Sequence, residues 1–313
     1  MTRLLLASPR GYCAGVERAV DTVEQALSLY GRPVYVRKQI VHNGHVVRSL
    51  EERGAIFVES VDEVPAGATV VFSAHGIAPA VREAASSRGL WTIDATCPLV
   101  QKVHAEVRRY AAAGYAIVLV GHAGHDEVEG TSGEAPDSVV LVQSIADAEK
   151  VVLQPGRPVA YVTQTTLSVE DTREIVEVLR RRFPSIVGPA REDICYATTN
   201  RQQAVKELLH LIDLLLVIGS RNSSNSNRLV EVAHRAGVDA HLIEDETEID
   251  EAWIGECDTI GLTAGASTPE CVVGRVCDWF RARGITDVRE TTRGENVVFR
   301  APLELRRPRV PSP

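Results

Sequence analysis

Several things are scarce in this 313-residue sequence, and each scarcity closes off a class of function. Aromatic residues make up 5% of it, too few for the stacking platforms that bind single-stranded nucleic acid. It lacks a surplus of positive charge. The 34 Lys and Arg stand against 42 Asp and Glu, a net charge of -8, which argues against a general polyanion-binding face and against nucleic acid as a partner. Its six cysteines contain no CxxC pair, and the opening apolar run, Leu4 to Ala7, stops at Ser8 and Pro9, short of the core of a secretory signal. Nowhere does it reach the ~18 consecutive apolar residues of a membrane span; the greasiest segment, LLHLIDLLLVIG, is broken by His210 and Asp213. No GxGxxG marks a flavin or nicotinamide site, because GYCAGVE lacks that spacing. The expectation is a cytoplasmic protein with no membrane partner, in a reducing compartment that leaves its thiols available for metal.

What is present is a regular alternation. Short apolar, β-branched runs (RLLLAS, PVYVRK, TVVFSA, AIVLVG, PVAYVT, LLLVIG, TIGLTA) are separated by helical patterns such as ERAVDTVEQALSLYG. Strands spaced by helices predict parallel sheets and an α/β fold. Gly and polar residues follow nearly every run, where open α/β sheets carry their ligand loops. At one domain per ~150 residues the length alone suggests about two domains.

Alignment on the cysteines suggests three. Cys13, Cys97 and Cys195 each precede a helical stretch, at separations of 84 and 98 residues. A strand and a polar loop follow each helix, carrying His42, His125 and Ser223 at offsets of 29, 28 and 28 from the cysteine. A second strand-end loop carries His75, Thr165 and Ser267 at offsets of 62, 68 and 72. The predicted units are 1–96, 97–194 and 195–283, closed by a C-terminal segment 284–313 packing back on the body. Any α/β protein repeats strand, loop and helix at ~25 to 35 residues, and cysteine is often buried, so coincidence stays an alternative. Cys257, Cys271 and Cys277 lie outside the scheme and read as core or surface thiols.

Three cysteines at helix starts would be favoured as thiolates by the helix dipole. Their wide spacing and the lack of a fourth unit disfavour a closed zinc site and suit a 4Fe-4S cluster with one open iron. The loops add His42, His75, His125, Thr165, Ser223, Ser224, Asn225 and Ser267, neutral donors near strand ends and helix starts, a composition suited to a phosphate or diphosphate. The same residues can be ordinary caps and turns, with SSNSN as a solvated N-cap. Thr198, Thr199 and Asn200 are ambiguous for that reason. Glu127, the carboxylate beside His125, would have a raised pKa if buried and would suit a proton donor, or could cap its helix. Its neighbour Asp126 is expected to face solvent. A zinc-dependent phosphoester hydrolase and a non-catalytic iron-sulfur sensor are the competing readings.

The segments SPRGYCAGVERAV, VHN, FSAHG, DATCPLV, GHDEVEGT, TQTTLSV, DICYATTNRQ, SSNSNRL and TAGAS, in that order from about residue 8 to residue 300, resemble the hydroxymethylbutenyl diphosphate reductase family, also called IspH or LytB. The resemblance implies a trefoil of three similar α/β domains with parallel sheets around a central iron-sulfur cluster. It implies reductive removal of the hydroxyl from 4-hydroxy-3-methylbut-2-enyl diphosphate, giving isopentenyl and dimethylallyl diphosphates, the last step of the methylerythritol phosphate pathway. Under it, Cys13, Cys97 and Cys195 hold one 4Fe-4S cluster per chain. His42, His75, His125, Ser223, Ser224, Asn225 and Ser267 contact the diphosphate, Glu127 delivers a proton, and Thr165 lies near the substrate hydroxyl. Ferredoxin or flavodoxin would supply electrons. One departure is Asp126, where the family pattern has proline (GHPEVEGT). The Pro- and Arg-rich tail FRAPLELRRPRVPSP is expected to fray after Leu305 and carries no assigned function.

Overall fold

The computed structural model describes residues 2–255, 257–291 and 294–306. The chain begins β1 (Arg3–Leu6), α1 (Ala14–Tyr30), β2 (Val34–Arg37), α2 (Gly44–Glu52), β3 (Ala55–Val58), β4 (Thr69–Phe72), α3 (Pro79–Ser87) and β5 (Trp91–Asp94). It continues with α4 (Pro98–Ala112), β6 (Ala116–Val120), α5 (Asp126–Gly133), β7 (Val139–Val142), α6 (Ile145–Lys150), β8 (Val159–Thr163) and α7 (Val169–Arg182). The remainder is α8 (Tyr196–Leu208), β9 (Leu214–Ile218), α9 (Ser224–Arg235), β10 (Asp239–Ile243), α10 (Glu251–Ile254), β11 (Thr259–Ala264), α11 (Glu270–Ala282), β12 (Val288–Glu290) and α12 (Leu303–Arg306). All seven apolar runs singled out in the sequence are strands.

The helices form where apolar residues recur on one face. In α1, Val16, Ala19, Val23 and Ala26 stand three, four and three apart and are all buried, the spacing of a single helical stripe. The central strands are apolar on both faces because helices cover both faces: every residue of β6, β9 and β11 is buried. LLHLIDLLLVIG divides at its polar residues, with Leu208 closing α8 and Leu214 opening β9. Between them the Asp213 carboxylate accepts from the backbone N–H groups of Asp258 and Thr259 at 2.9 and 2.8 Å.

Three sheets result, all with parallel pairings. Their strand orders are β10-β9-β11-β1-β12, β3-β2-β4-β5 and β7-β6-β8. The third is extended by a single parallel bridge from Ala160 in β8 to Val187. Each sheet therefore runs second strand, first strand, third strand, then a fourth element whose chain leads to a cysteine: β1 to Cys13, β5 to Cys97, Val187 to Cys195. The repeat is real but circularly shifted at its first member. β1, placed by the cysteine alignment in the unit 1–96, lies between β11 and β12, in the sheet of the Cys195 unit. The segment 284–313 contributes β12 to the same sheet and the short α12, in which Leu305 is buried. The tail was expected to fray after Leu305; Arg306 is the last residue of α12, and residues 307–313 lie outside the described residues.

The chain divides into two compact units, one comprising Met1–Val16, His42–Val46 and Tyr196–Val298, the other Glu17–Val41, Val47–Cys195 and Phe299–Pro313. In the first, the five-stranded sheet has a core on each face. One packs Leu4, Leu216, Ile260 and Leu262 against Val272, Val276 and Phe280 of α11, the other Leu215 and Val217 against Val205 and Leu208 of α8 and Leu229 of α9. In the second, Val103, Val107 and Tyr110 of α4 cover Ile117, Leu119, Ala160 and Val162, and Val70 and Phe72 pack with Ile77, Ala85 and Leu90. No described helix is long and apolar enough to cross a membrane.

Candidate functional site

Twelve residues were expected at the site, and six fall in each unit. The first unit holds Cys13, His42, Ser223, Ser224, Asn225 and Ser267; the second holds Cys97, Cys195, His75, His125, Glu127 and Thr165.

The cysteines occupy equivalent places. Cys13 and Cys195 immediately precede α1 and α8, and Cys97 is the N-cap of α4. None of the three is in a disulfide, and all are partly exposed. Each backbone N–H donates to a carbonyl in one of the second polar loops: Cys13 to Ala266 (3.3 Å), Cys97 to Ala74 (3.0 Å) and Cys195 to Thr165 (3.0 Å). Among the described residues, none of the other three cysteines immediately precedes or caps a helix, and none donates its amide to these loops. Cys277 is buried in the α11 core, Cys271 is exposed, and the Cys257 thiol donates to the Trp253 carbonyl. Three thiols outside any disulfide, each against a helix start whose dipole favours a thiolate, form a donor set that fits a thiolate-ligated cluster of three protein ligands.

In the first unit the polar loops interlock. Ser223 caps α9, its hydroxyl accepting from Ser226 N–H at 3.3 Å. The buried Asn225 accepts from Ala266 N–H through Oδ1 (2.9 Å), which ties the start of α9 to the loop receiving the Cys13 amide. Ser267 donates to the His42 carbonyl (2.9 Å), and the His42 ring meets the Asn222 amide at 3.3 Å. Ser224, the first residue of α9, is partly exposed. Asn43 caps α2 by accepting from the N–H groups of His45 and Val46. Ser223 is thus the cap expected in the SSNSN segment, but a buried rather than a solvated one, and the helix N-terminus beside it remains a donor group.

In the second unit His75 and His125 meet edge to face, centroids 5.8 Å apart. His125 is the N-cap of α5, its Nδ1 accepting from Glu127 N–H at 3.1 Å. Glu127 is 2% exposed, and Thr165 holds both its carboxyl oxygens: Oε1 accepts from Thr165 N–H at 2.6 Å, and Oε2 lies 2.9 Å from the Thr165 hydroxyl. Burial pushes the Glu127 pKa up to about 7, opposed by the two Thr165 bonds and aided by the negative charge of Asp193. Glu127 and Thr165 are therefore a pair, and the same Thr165 accepts the Cys195 amide through its carbonyl.

Asp126 does not face solvent. Its side chain is 14% exposed, Oδ1 pairs with Lys38 Nζ at 2.5 Å, and Oδ2 lies 3.8 Å from His75 Nδ1. Lys38 also reaches Glu129 at 2.7 Å and carries a left-handed backbone, φ 55, an uncommon conformation for a side chain of this size. Lys38 was not legible in the sequence, since it lies outside every repeated loop. Asp193 was missed as well, although it stands two residues before Cys195. Its side chain is fully buried, it accepts from Thr163 N–H at 2.8 Å, and burial pushes its carboxyl well above the usual range.

The sequence profile of the family described as LytB protein matches residues 4–281. The chain belongs to the LytB family. Within it, the chain is similar to the 4-hydroxy-3-methylbut-2-enyl diphosphate reductase of Acidothermus cellulolyticus, 59% identical over 97% of this chain and 90% of the relative. It is similar to the enzyme of the same name from Cronobacter sakazakii, 53% identical over 97% and 98%. The solved structure of the E-1-hydroxy-2-methyl-but-2-enyl-4-diphosphate reductase from Plasmodium falciparum superposes with a TM-score of 0.94 at 38% identity, covering 98% of this chain and 97% of that one. The three parallel sheets of this LytB-family chain agree with that superposition.

Proposed function

We propose that this LytB-family chain is a 4-hydroxy-3-methylbut-2-enyl diphosphate reductase, an enzyme of the non-mevalonate isoprenoid pathway. The reaction takes two electrons and two protons, breaks the allylic C–O bond, releases water, and leaves isopentenyl or dimethylallyl diphosphate according to which end of the allyl system gains hydrogen. The observation that carries the reading is the Glu127–Thr165 pair: a buried carboxyl with a pKa of about 7 on a threonine that also holds the amide of a candidate ligand cysteine. A carboxyl near the operating pH is suited to giving a proton to a departing hydroxyl.

Cys13, Cys97 and Cys195 would hold one 4Fe-4S cluster per chain, and when bound it would supply electrons and a Lewis-acidic iron. Thr165 would keep Glu127 aimed, and its hydroxyl is assigned to the substrate hydroxyl. His42, His75, His125, Ser223, Ser224, Asn225 and Ser267 are assigned to the diphosphate. They offer neutral donors and helix N-termini, which reconciles an anionic substrate with a net charge of -8. Lys38 neutralises Asp126, so that the carboxylate next to His75 does not repel the substrate's charge. A small one-electron carrier, ferredoxin or flavodoxin, is the expected donor, and the cytoplasm the expected location.

Anaerobic turnover with reduced viologen tests the proposal. Consumption of the hydroxylated diphosphate with appearance of both isomeric products supports it. Binding without turnover points to the sensor reading, and stoichiometric zinc that survives iron reconstitution points to a hydrolase.

A further inference from the structure

A cation recurs at the same place in each cysteine unit. Arg18 stands five residues after Cys13, Lys102 five after Cys97, and Arg201 six after Cys195. Each lies in the helix its cysteine begins, and each donates to the carbonyls just ahead of a different cysteine. Arg18, 9% exposed, donates through Nη1 to Ala95 and Thr96, both at 3.0 Å, the two residues before Cys97. Its Nε also holds the Arg300 carbonyl at 2.8 Å. Lys102 donates to the carbonyls of Arg191 and Glu192 and to the Asp193 carboxylate at 2.6 Å, ahead of Cys195. Arg201, fully buried, donates to the carbonyls of Gly11 (2.8 Å) and Tyr12 (3.2 Å), the two residues before Cys13. Gly11 has φ +63, a conformation open to glycine, which turns its carbonyl to the guanidinium.

The two most buried members carry companions. Arg201 pairs with Glu295 at 3.2 Å, and Glu295 accepts from Asn200 Nδ2 at 2.9 Å, which gives the otherwise unassigned asparagine of the TTN segment a role. Arg18 bonds Arg300 in the same C-terminal stretch. A buried guanidinium without partners would be strongly unfavourable, and a fork of donors on two successive carbonyls fixes a loop more tightly than a single bond.

We propose that Arg18, Lys102 and Arg201 are positioning residues, each holding the loop that presents the next candidate ligand: Arg18 for Cys97, Lys102 for Cys195 and Arg201 for Cys13. The inference rests on the reading of these cysteines as cluster ligands, but the one-to-one mapping stands on its own. A residue that only supported the fold would act on all three loops alike.

Amide hydrogen exchange on the anaerobic full-length protein, read by mass spectrometry over Gly11–Cys13, Ala95–Cys97 and Arg191–Cys195, tests the mapping. Arg18→Met should raise exchange at least tenfold in the Cys97 peptide alone, Lys102→Met in the Cys195 peptide alone, and Arg201→Met in the Cys13 peptide alone. Arg18→Lys and Arg201→Lys should give smaller rises at the same peptides and serve if the methionine variants fail to fold. Lys102→Arg should restore the wild-type pattern. Iron release to a chelator should be at least fivefold faster in each methionine variant than in the wild type. Exchange that rises in all three peptides together, in a peptide other than the assigned one, or in none would overturn the proposal. If the mapping holds and the wild type takes up no iron, the cofactor reading falls and the clamp stands as a feature of the fold.

Discussion

Glu127 is the residue on which the proposed chemistry turns. With its pKa raised to about 7 by burial, the proton donor is lost as the pH rises through that value, so kcat/KM should fall on an alkaline limb centred near pH 7. Glu127→Gln keeps the shape without the proton and should lower turnover by a factor on the order of 10² to 10⁴, with iron content unchanged; turnover near wild type would remove Glu127 as the essential donor. Stability carries the same signature. Between pH 4.5 and 7 the folded chain holds a proton on Glu127 that the unfolded chain has released, so unfolding free energy declines with rising pH by at most about 3 kcal/mol. Urea titrations of the wild type and Glu127→Gln should diverge in that window and run parallel below it. Glu127 stood out in the sequence as the carboxylate beside His125, but its pairing with Thr165 did not, because the two are 38 residues apart in the chain. Asp126 was misjudged for a similar reason: its partner Lys38 lies 88 residues away. Proline suits the first position of a helix, so Asp126→Pro should leave stability within about 1 kcal/mol by thermal melting, the size of a lost, partly exposed ion pair.

At the scale of the element, β1 separates what patterning can show from what it cannot. RLLLAS reads as a strand, and it is one, but nothing local says that it belongs between β11 and β12 rather than with β2. That is decided by long-range packing, in which Leu4 meets the apolar faces of β11 and α11. Leu4 is fully buried, so Leu4→Ala should cost about 2–5 kcal/mol. The loss should open the five-stranded sheet, with hydrogen exchange rising in β11 and β12 before it rises in β6. Gly76 makes a parallel point. Its φ is +84, and a Cβ there would come within 2.9 Å of the His104 ring. That ring is held at 2.7 Å by Glu134, the C-cap of α5. Gly76→Ala should displace the His75 loop and raise KM more than it lowers kcat. The glycine in SAHG was visible in the sequence, whereas the histidine beneath it was not.

At the scale of the whole molecule, three cysteines out of six stand in equivalent settings, with an amide bound to a strand-end loop and a helix beginning at or just after the thiol. The repeat was readable because the first polar loop of each unit keeps a nearly constant offset from its cysteine, and the place of β1 was hidden because its sheet partners are set by long-range packing. Replacing Cys13, Cys97 or Cys195 by serine should abolish stable iron binding, and replacing Cys257, Cys271 or Cys277 should leave it intact. The most direct test of the account is the iron content and electron paramagnetic spectrum of the anaerobically prepared full chain, with and without 4-hydroxy-3-methylbut-2-enyl diphosphate. The account predicts about four irons per chain and a spectrum that changes when the diphosphate is added; protein that stays iron-free after anaerobic reconstitution, or a cluster spectrum indifferent to the diphosphate, would contradict it.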